Sequence, residues 1–372
     1  MQKILYIAPF DDVKSINGGY SKVAKEFKRI FELIQSKDVE VTFNSIETFC
    51  KRTKSYEQFD KVILLMHPSE VVKYNEVIFN LLKNIKERYL HLFWETDPLP
   101  RAWKSIFTSN LFTGFITSSQ FNFDLVKKET SKATHLIPVP MNEEDYKEYK
   151  IDIEEKRKED VFRVLYVGQY TKRKGMEDAI ISFIQTLGNK EDCELVLKYY
   201  PLSNFEIPAE QLIHYVVNTN IKKQNLKAKV FTLQEDLSQD KIFKLYKESS
   251  VLLFPSRGEG FGLPIAEASI IGLPCIYSHG SSLKEFDFCN GFPIYCIQDS
   301  AYGMAQYDYQ SDSMYDVPMI SSININLQHC YETWKAEREN YYKYSSYNTN
   351  KIIEAFGTEK SIQLFKEFVN GK

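Results

Sequence analysis

Metal-binding spacings, long apolar runs and an excess of one charge are all missing from this sequence. Its six cysteines (Cys50, Cys193, Cys275, Cys289, Cys296 and Cys330) include no C-x-x-C pair, and its six histidines form no H-x-H or H-x-x-x-H cluster. Such scatter argues against a disulfide frame or a zinc site and suits reduced, mostly buried thiols in the cytoplasm. No stretch approaches the roughly 20 apolar residues of a membrane-spanning helix. The opening MQKILYIAPFDD turns acidic too soon for a signal sequence, so a cytoplasmic chain is expected. With 47 basic against 50 acidic residues and a net charge of −3, the basic footprint of a nucleic-acid binder is missing too. No internal repeat or low-complexity tract stands out.

What remains is an ordinary globular composition, 43% hydrophobic and 26% charged over 372 residues. At roughly 100–200 residues per domain this length predicts two domains. Aromatics are plentiful, with 24 Tyr and 26 Phe. Some are candidate sugar platforms, but a coding bias toward these residues accounts for most.

Short apolar runs alternate with helical patterns. Ile4–Pro9 leads to a loop containing Asn17, Gly18 and Gly19. An amphipathic helix follows, with Val23, Phe27, Ile30, Phe31 and Ile34 on one face. Strands are predicted at Val39–Phe43, Lys61–Met66, Leu90–Trp94 and Gly114–Thr117, with a long helix near Val71–Arg88. The charged stretch Met141–Asp160 lacks an apolar face and reads as a linker. The pattern then restarts with strands at Phe162–Val167, Glu194–Tyr199, Val230–Leu233, Val251–Phe254 and Pro274–Tyr277. Helices are expected near Glu177–Thr186, Ser238–Lys247 and Pro264–Ile271. The α/β alternation predicts two Rossmann-like domains with parallel sheets covered on both faces. The first spans 1–150, completed by a C-terminal helix at about 345–372, and the second spans 160–340. Ligands of such sheets bind at the carboxyl ends of the strands, here in a cleft between the two domains.

Chemistry concentrates in Ser249–Ser278. The strand Val251–Phe254 runs into Arg257-Gly258-Glu259-Gly260-Phe261-Gly262, and a helix opens at Leu263-Pro264. Proline in the first helical turn gives up no hydrogen bond. The free amides there, with the helix dipole behind them, form an anion site that the glycines let a diphosphate approach. Glu267, about one turn into the helix, suits a vicinal diol such as that of ribose. Glu259 lies on the other side of the phosphate position, where a hexose would project.

Glu259-Gly260-Phe261-Gly262-Leu263-Pro264, Glu267-Ala268, Gly272 and Pro274 resemble family 4 of the retaining GT-B glycosyltransferases. That family carries two glutamates seven residues apart in an E-G-F-G-L-P run. The resemblance covers most of the chain and is strongest in the second domain. It implies that Glu267 holds the nucleotide ribose and Glu259 the transferred sugar, with the backbone at Phe261–Leu263 on the sugar and diphosphate. Val164–Gly175 resembles the family's V-G-R-x-x-x-x-K-G, which gives Lys174 the departing diphosphate. The family arginine is Gln169 here, and Lys172 or Arg173 are candidates for the missing charge. Gly18 and Gly19 match a Gly-Gly loop facing the donor phosphate. Leu92–Trp103 resembles a W-E-T segment, making Glu95 and Asp97 candidates for acceptor recognition or proton handling; His67 is a possible further cleft residue.

The resemblance thus implies a metal-independent hexosyltransferase without a cofactor beyond its nucleoside diphosphate sugar. Glu259, Lys174 and Glu95 are the catalytic candidates. GDP-mannose is favoured slightly over UDP-sugars, and the acceptor is a hydroxyl of a glycan or a lipid-linked sugar. The basic face of the Val23–Ile34 helix allows peripheral membrane contact. The alternative is a non-catalytic GT-B partner subunit that binds a sugar or a protein, for which Gln169 speaks.

Overall fold

The computed structural model describes residues 1–10, 18–201, 208–220, 225–301 and 309–371. Asp11, Asp12 and Asn17 of the sequence reading lie outside them. The chain divides into two compact units, Met1–Asn142 with Ser300–Met314 and Ala355–Lys372, and Glu143–Asp299 with Tyr315–Glu354.

The first unit holds strands β1 (Gln2–Ala8), β2 (Val39–Ser45), β3 (Lys61–Leu65), β4 (Glu87–Leu92), β5 (Gly114–Thr117) and β6 (Ala133–Leu136). They form one sheet in the order β2-β1-β3-β4-β5-β6, parallel throughout. Central strands of such a sheet meet protein on both faces, which is why Ile4–Ala8 and Val62–Leu65 read as unbroken apolar runs and are buried. The helix Gly18–Ile34 turns Val23, Phe27, Ile30, Phe31 and Ile34 inward. Against it lies the last helix, Thr358–Val369, whose Phe365 ring sits 4.9 Å from Phe27 and 4.8 Å from Phe31. Buried Lys61 is paired with Glu87 at 3.3 Å and donates to the Phe368 carbonyl at 3.0 Å.

The second unit holds β7 (Phe162–Tyr170), β8 (Cys193–Pro201), β9 (Lys229–Leu233), β10 (Val251–Phe254), β11 (Cys275–Ser278) and β12 (Phe292–Ile294). Their order is β12-β11-β10-β7-β8-β9, again parallel. Two further strands, β13 (Cys296–Ser300) and β14 (Met314–Pro318), form a separate ribbon. The expected fold class, two α/β domains with parallel sheets, is the one observed. Among the described residues no helix is long and apolar enough to cross a membrane.

Three expectations change. The long helix near Val71–Arg88 is two helices, Pro68–Lys73 and Asn75–Leu82, separated at Tyr74, and β4 already begins at Glu87. The supposed loop at Gly18 and Gly19 is the first turn of a helix. The supposed linker folds onto the second unit. Tyr146 is buried with its ring 4.4 Å from Phe243, the Ile151 amide donates to the Ile271 carbonyl at 2.8 Å, and buried Lys156 donates to the Ser249 carbonyl at 2.8 Å. Anchors of this kind are single side chains and backbone groups, so they leave no apolar periodicity to read.

Candidate functional site

Neighbouring β7 and β10 in the second sheet lead to connections on opposite sides, since β8 lies beyond β7 and β11 beyond β10. Such a switch in strand order opens a crevice at the strands' carboxyl ends. Two segments fill its rim, the Thr171–Gly175 turn after β7 and the Pro255–Gly262 loop after β10. They are pressed together at Gly175, where φ is +70° and a Cβ would meet the Pro255 carbonyl oxygen at 2.1 Å. Only glycine fits there. Thr171 caps the short turn Lys172–Lys174 through the Lys174 amide, which sets the direction of the lysine.

Glu259 is 7% exposed, and three donors converge on its Oε1. Lys174 Nζ and Ser256 Oγ each lie at 2.6 Å, and Arg173 Nη1 at 3.6 Å. No described residue donates a hydrogen bond to Oε2. Burial pushes this carboxyl up, but the Lys174 and Arg173 charges, with the hydrogen bonds from Lys174 and Ser256, hold it below its ordinary value. Arg173 also donates to the Gly258 carbonyl at 2.7 Å. Its guanidinium therefore serves the Glu259 loop, while Gln169 stands half-buried at the end of β7 with its carbonyl accepting from the Tyr166 hydroxyl at 3.3 Å.

Arg257 ties the two segments together. Its amide donates to the Arg173 carbonyl at 2.7 Å, and Nη1 to the Lys172 carbonyl at 2.6 Å. Nη2 lies 2.6 Å from Asp178 Oδ2. Burial pushes the Asp178 carboxyl up to about 6 even though Arg257 pulls it down. The Glu259 peptide is held from the loop after β11, its amide donating to Ser281 Oγ at 3.0 Å and its carbonyl accepting from Ser282 Oγ at 2.8 Å.

The helix Leu263–Ile271 starts from Gly262 at φ +103°, with proline in its first turn as expected. The amides of Gly262 and Leu263 have no acceptor among the described residues, the arrangement that suits an anion. Phe261 packs its ring 6.0 Å from Phe286, so its side chain points into the protein. Glu267 is 6% exposed and its Oε2 accepts from the Tyr246 hydroxyl at 3.0 Å. Thus Lys174, Arg173, Glu259, Gly260, Phe261, Gly262, Leu263 and Glu267 all belong to the second unit, on the segments that follow β7 and β10.

Gly18, Gly19 and Glu95 belong to the first unit. There β1 and β3 are neighbours at the switch in strand order, and the helix starting at Gly18 follows β1. A Cβ on Gly19 would meet nothing within 4 Å, so local packing does not demand glycine there. Glu95 is half-buried after β4, and its charge adds to burial in raising the Tyr20 phenol. Asp97 is paired with Lys128 at 3.0 Å. His67 caps the helix Pro68–Lys73, its Nδ1 accepting from the Ser69 amide at 3.3 Å, a structural job.

Sequence reasoning missed Ser256, Ser281, Ser282, Tyr246, the Arg257–Asp178 pair and His91. Ser256 and Arg257 adjoin the glutamate motif, and that proximity was the available signal. The others come from elsewhere in the chain: Asp178 and Tyr246 from helices, Ser281 and Ser282 from the turn after β11, and His91 from β4. His91 is fully buried, its Nε2 2.9 Å from Ser118 Oγ, and burial pushes its pKa down to about 3, so it stays neutral.

A glutamate and a lysine are thus paired near a helix start whose first amides have no acceptor among the described residues, at a sheet's switch point. Residues 148–286 match the family described as Glycosyl transferases group 1, so this stretch is a domain of that family. The two parallel-sheet units have the fold of GT-B glycosyltransferases. The structure is similar to HepE from Anabaena in complex with UDP and glucose, with a TM-score of 0.66, 15% identity and 100% of each chain covered. It is similar also to the sucrose-phosphate synthase of Thermosynechococcus elongatus, with a TM-score of 0.66, 14% identity and 100% of each chain covered. At such identity the likeness is one of fold.

Among known sequences, the chain is 26% identical over 200 residues to the putative glycosyltransferase ORF330 of Acidianus filamentous virus 2 (isolate Italy/Pozzuoli), covering 52% of this chain and 54% of that protein. It is 32% identical over 121 residues to the serotype-specific mannosyltransferase WbdA of Escherichia coli, covering 32% of this chain and 14% of that protein. The chain thus spans about half of the first relative's length and a small part of the second's.

Proposed function

We propose that the chain is a retaining hexosyltransferase of the family 4 type, moving a hexose from a nucleoside diphosphate sugar to a hydroxyl of a glycan or a lipid-linked sugar. The observation that carries this is Glu259. A buried carboxylate with one oxygen loaded by Lys174 and Ser256 and the other open lies three residues before the unpaired amides of a helix start. The diphosphate takes those amides and Lys174, which stabilise the charge that develops as the bond from the anomeric carbon to the phosphate oxygen breaks. The acceptor oxygen forms the new bond to that carbon on the same face, and its proton passes to the departing phosphate oxygen as the nucleoside diphosphate leaves. Glu259 Oε2 accepts from hydroxyls of the hexose, and Glu267 from the ribose diol. The roles that the family resemblance gives to Gly18 and Gly19, toward a donor phosphate, and to Glu95, as a catalytic candidate toward the acceptor, are part of the proposal. No nucleophile is assigned, and metal independence is part of the proposal.

GDP-mannose is the favoured donor, supported by the similarity to a protein named as a mannosyltransferase; a UDP-sugar is second, supported by the resemblance of the fold to a protein solved with UDP and glucose. A thermal-shift screen against GDP-, UDP- and ADP-sugars tests this, because a ligand at about a hundred times its dissociation constant stabilises by about 2.7 kcal/mol. Release of nucleoside diphosphate, lost in Glu259→Ala and retained with a chelator present, then tests transfer. Gln169 at the family's arginine position favours a second reading, a non-catalytic binding subunit. Donor binding without turnover under any acceptor would select it.

A further inference from the structure

Among the described residues, Ser281 is the non-glycine residue at positive φ, 44°. A residue with a Cβ holds that left-handed conformation where its surroundings impose it. Here Asp316 on β14 does so. Its Oδ2 accepts from the Ser281 amide at 2.8 Å, and it packs so tightly on Gly280 that a Cβ there would lie 2.3 Å from the Asp316 Cβ. The Asp316 amide in turn donates to the Arg257 carbonyl at 3.0 Å. The turn is therefore tied to the Glu259 loop at residue 257 and again at residue 259. Among the described residues the Glu259 amide and carbonyl have no main-chain partner, and the Ser281 and Ser282 hydroxyls hold them.

We propose that Ser281 is a positioning residue for Glu259. The backbone forced on it by Asp316 aims its hydroxyl at the Glu259 amide, and this orients the side chain so that Oε1 meets Lys174 while Oε2 faces the donor sugar. The claim rests on the reading of Glu259 as the sugar-binding acid. A plain turn needs neither a strained serine nor a carboxylate to strain it; glycine at 281 would make the same turn without strain.

Two variants separate the hydroxyl from the strain. Ser281→Ala removes the hydroxyl and keeps the strain, and Ser281→Gly removes both. Both are expected to lower kcat for nucleoside diphosphate release about ten- to a hundred-fold, with donor KM within about threefold, because a buried amide is left unpaired and the acid drifts. Ser281→Gly should nonetheless melt higher than Ser281→Ala. Wild-type kcat in Ser281→Gly overturns the proposal, and so does a parallel loss of kcat, KM and Tm in both variants. The Lys174 ammonium signal in 15N spectra gives a readout independent of turnover. It should shift or broaden in Ser281→Ala, and an unchanged signal overturns the proposal. A wild type that releases no nucleoside diphosphate from any donor would refute the transferase reading, and the Lys174 signal would still decide the role of Ser281.

Discussion

Replacing Lys174 by methionine keeps the aliphatic stem and deletes the charge. Glu259, 7% exposed, would then keep Ser256 at 2.6 Å and Arg173 at 3.6 Å. Removing one partner of a buried ion pair costs about 3–5 kcal/mol, and the remaining arginine brings the expected cost to about 2–3 kcal/mol near neutral pH. The dependence on pH is more telling than the size. In the wild type the folded carboxyl titrates below its ordinary value, so its contribution is full above the ordinary carboxylate range and fades as pH falls through the lower, folded value. In Lys174→Met, burial is no longer outweighed and the folded value rises above the unfolded one. The penalty is then largest near neutral pH and shrinks in acid, where Glu259 takes up a proton. For a unit of about 200 residues, at about 2–4 °C per kcal/mol, the melting temperature should fall by about 4–12 °C near pH 7 and by much less near pH 4. Calorimetry of both proteins at the two pH values measures this. A deficit that is equal at both, or larger in acid, refutes the argument.

Gly175→Ala should be the most damaging single methyl in the second unit, since the added Cβ meets the Pro255 carbonyl oxygen at 2.1 Å at a φ of +70°; a loss above about 3 kcal/mol is expected, seen as insoluble protein or a collapsed melting temperature. Tyr246→Phe removes the donor to buried Glu267 and should cost about 1–2 kcal/mol in melting experiments while weakening nucleoside diphosphate binding in titration calorimetry. Asp178, pushed up to about 6 by burial, contributes stability in acid that is lost as pH rises through that value. Asp178→Asn should therefore flatten the melting profile between about pH 4 and about pH 7, and an unchanged slope would count against the assignment.

How much of this was legible beforehand depended on whether a feature is local in the chain. The strand Val251–Phe254, the Gly262 helix start and the glutamates at 259 and 267 sit within one short segment, so their types and spacing carried the geometry. Helix-versus-strand alternation likewise carried the two parallel sheets. The Tyr74 break was hidden because Val71, Val72, Ile78, Leu81 and Leu82 keep a helical period across it. The stretch from residue 141 to 160 was misread because Tyr146 and Lys156 act as isolated anchors amid charge. Nothing near Glu259 in sequence announces Ser281, which reaches it from the turn after β11, or Asp316 on β14, which holds Ser281. Arg173 was suggested by its closeness to Gln169; that its guanidinium lies at Gly258 and Glu259 could not be read from that closeness.

The helix Leu263–Ile271 is buried from Ile265 through Ile271. It has no wet side on which a substitution goes unnoticed, so every position from Ile265 onward answers to volume as well as to ligand. A variant in this helix that loses nucleotide binding has not thereby lost a contact. Size-matched replacements, each checked for an intact melting transition, are the ones whose binding data speak about recognition.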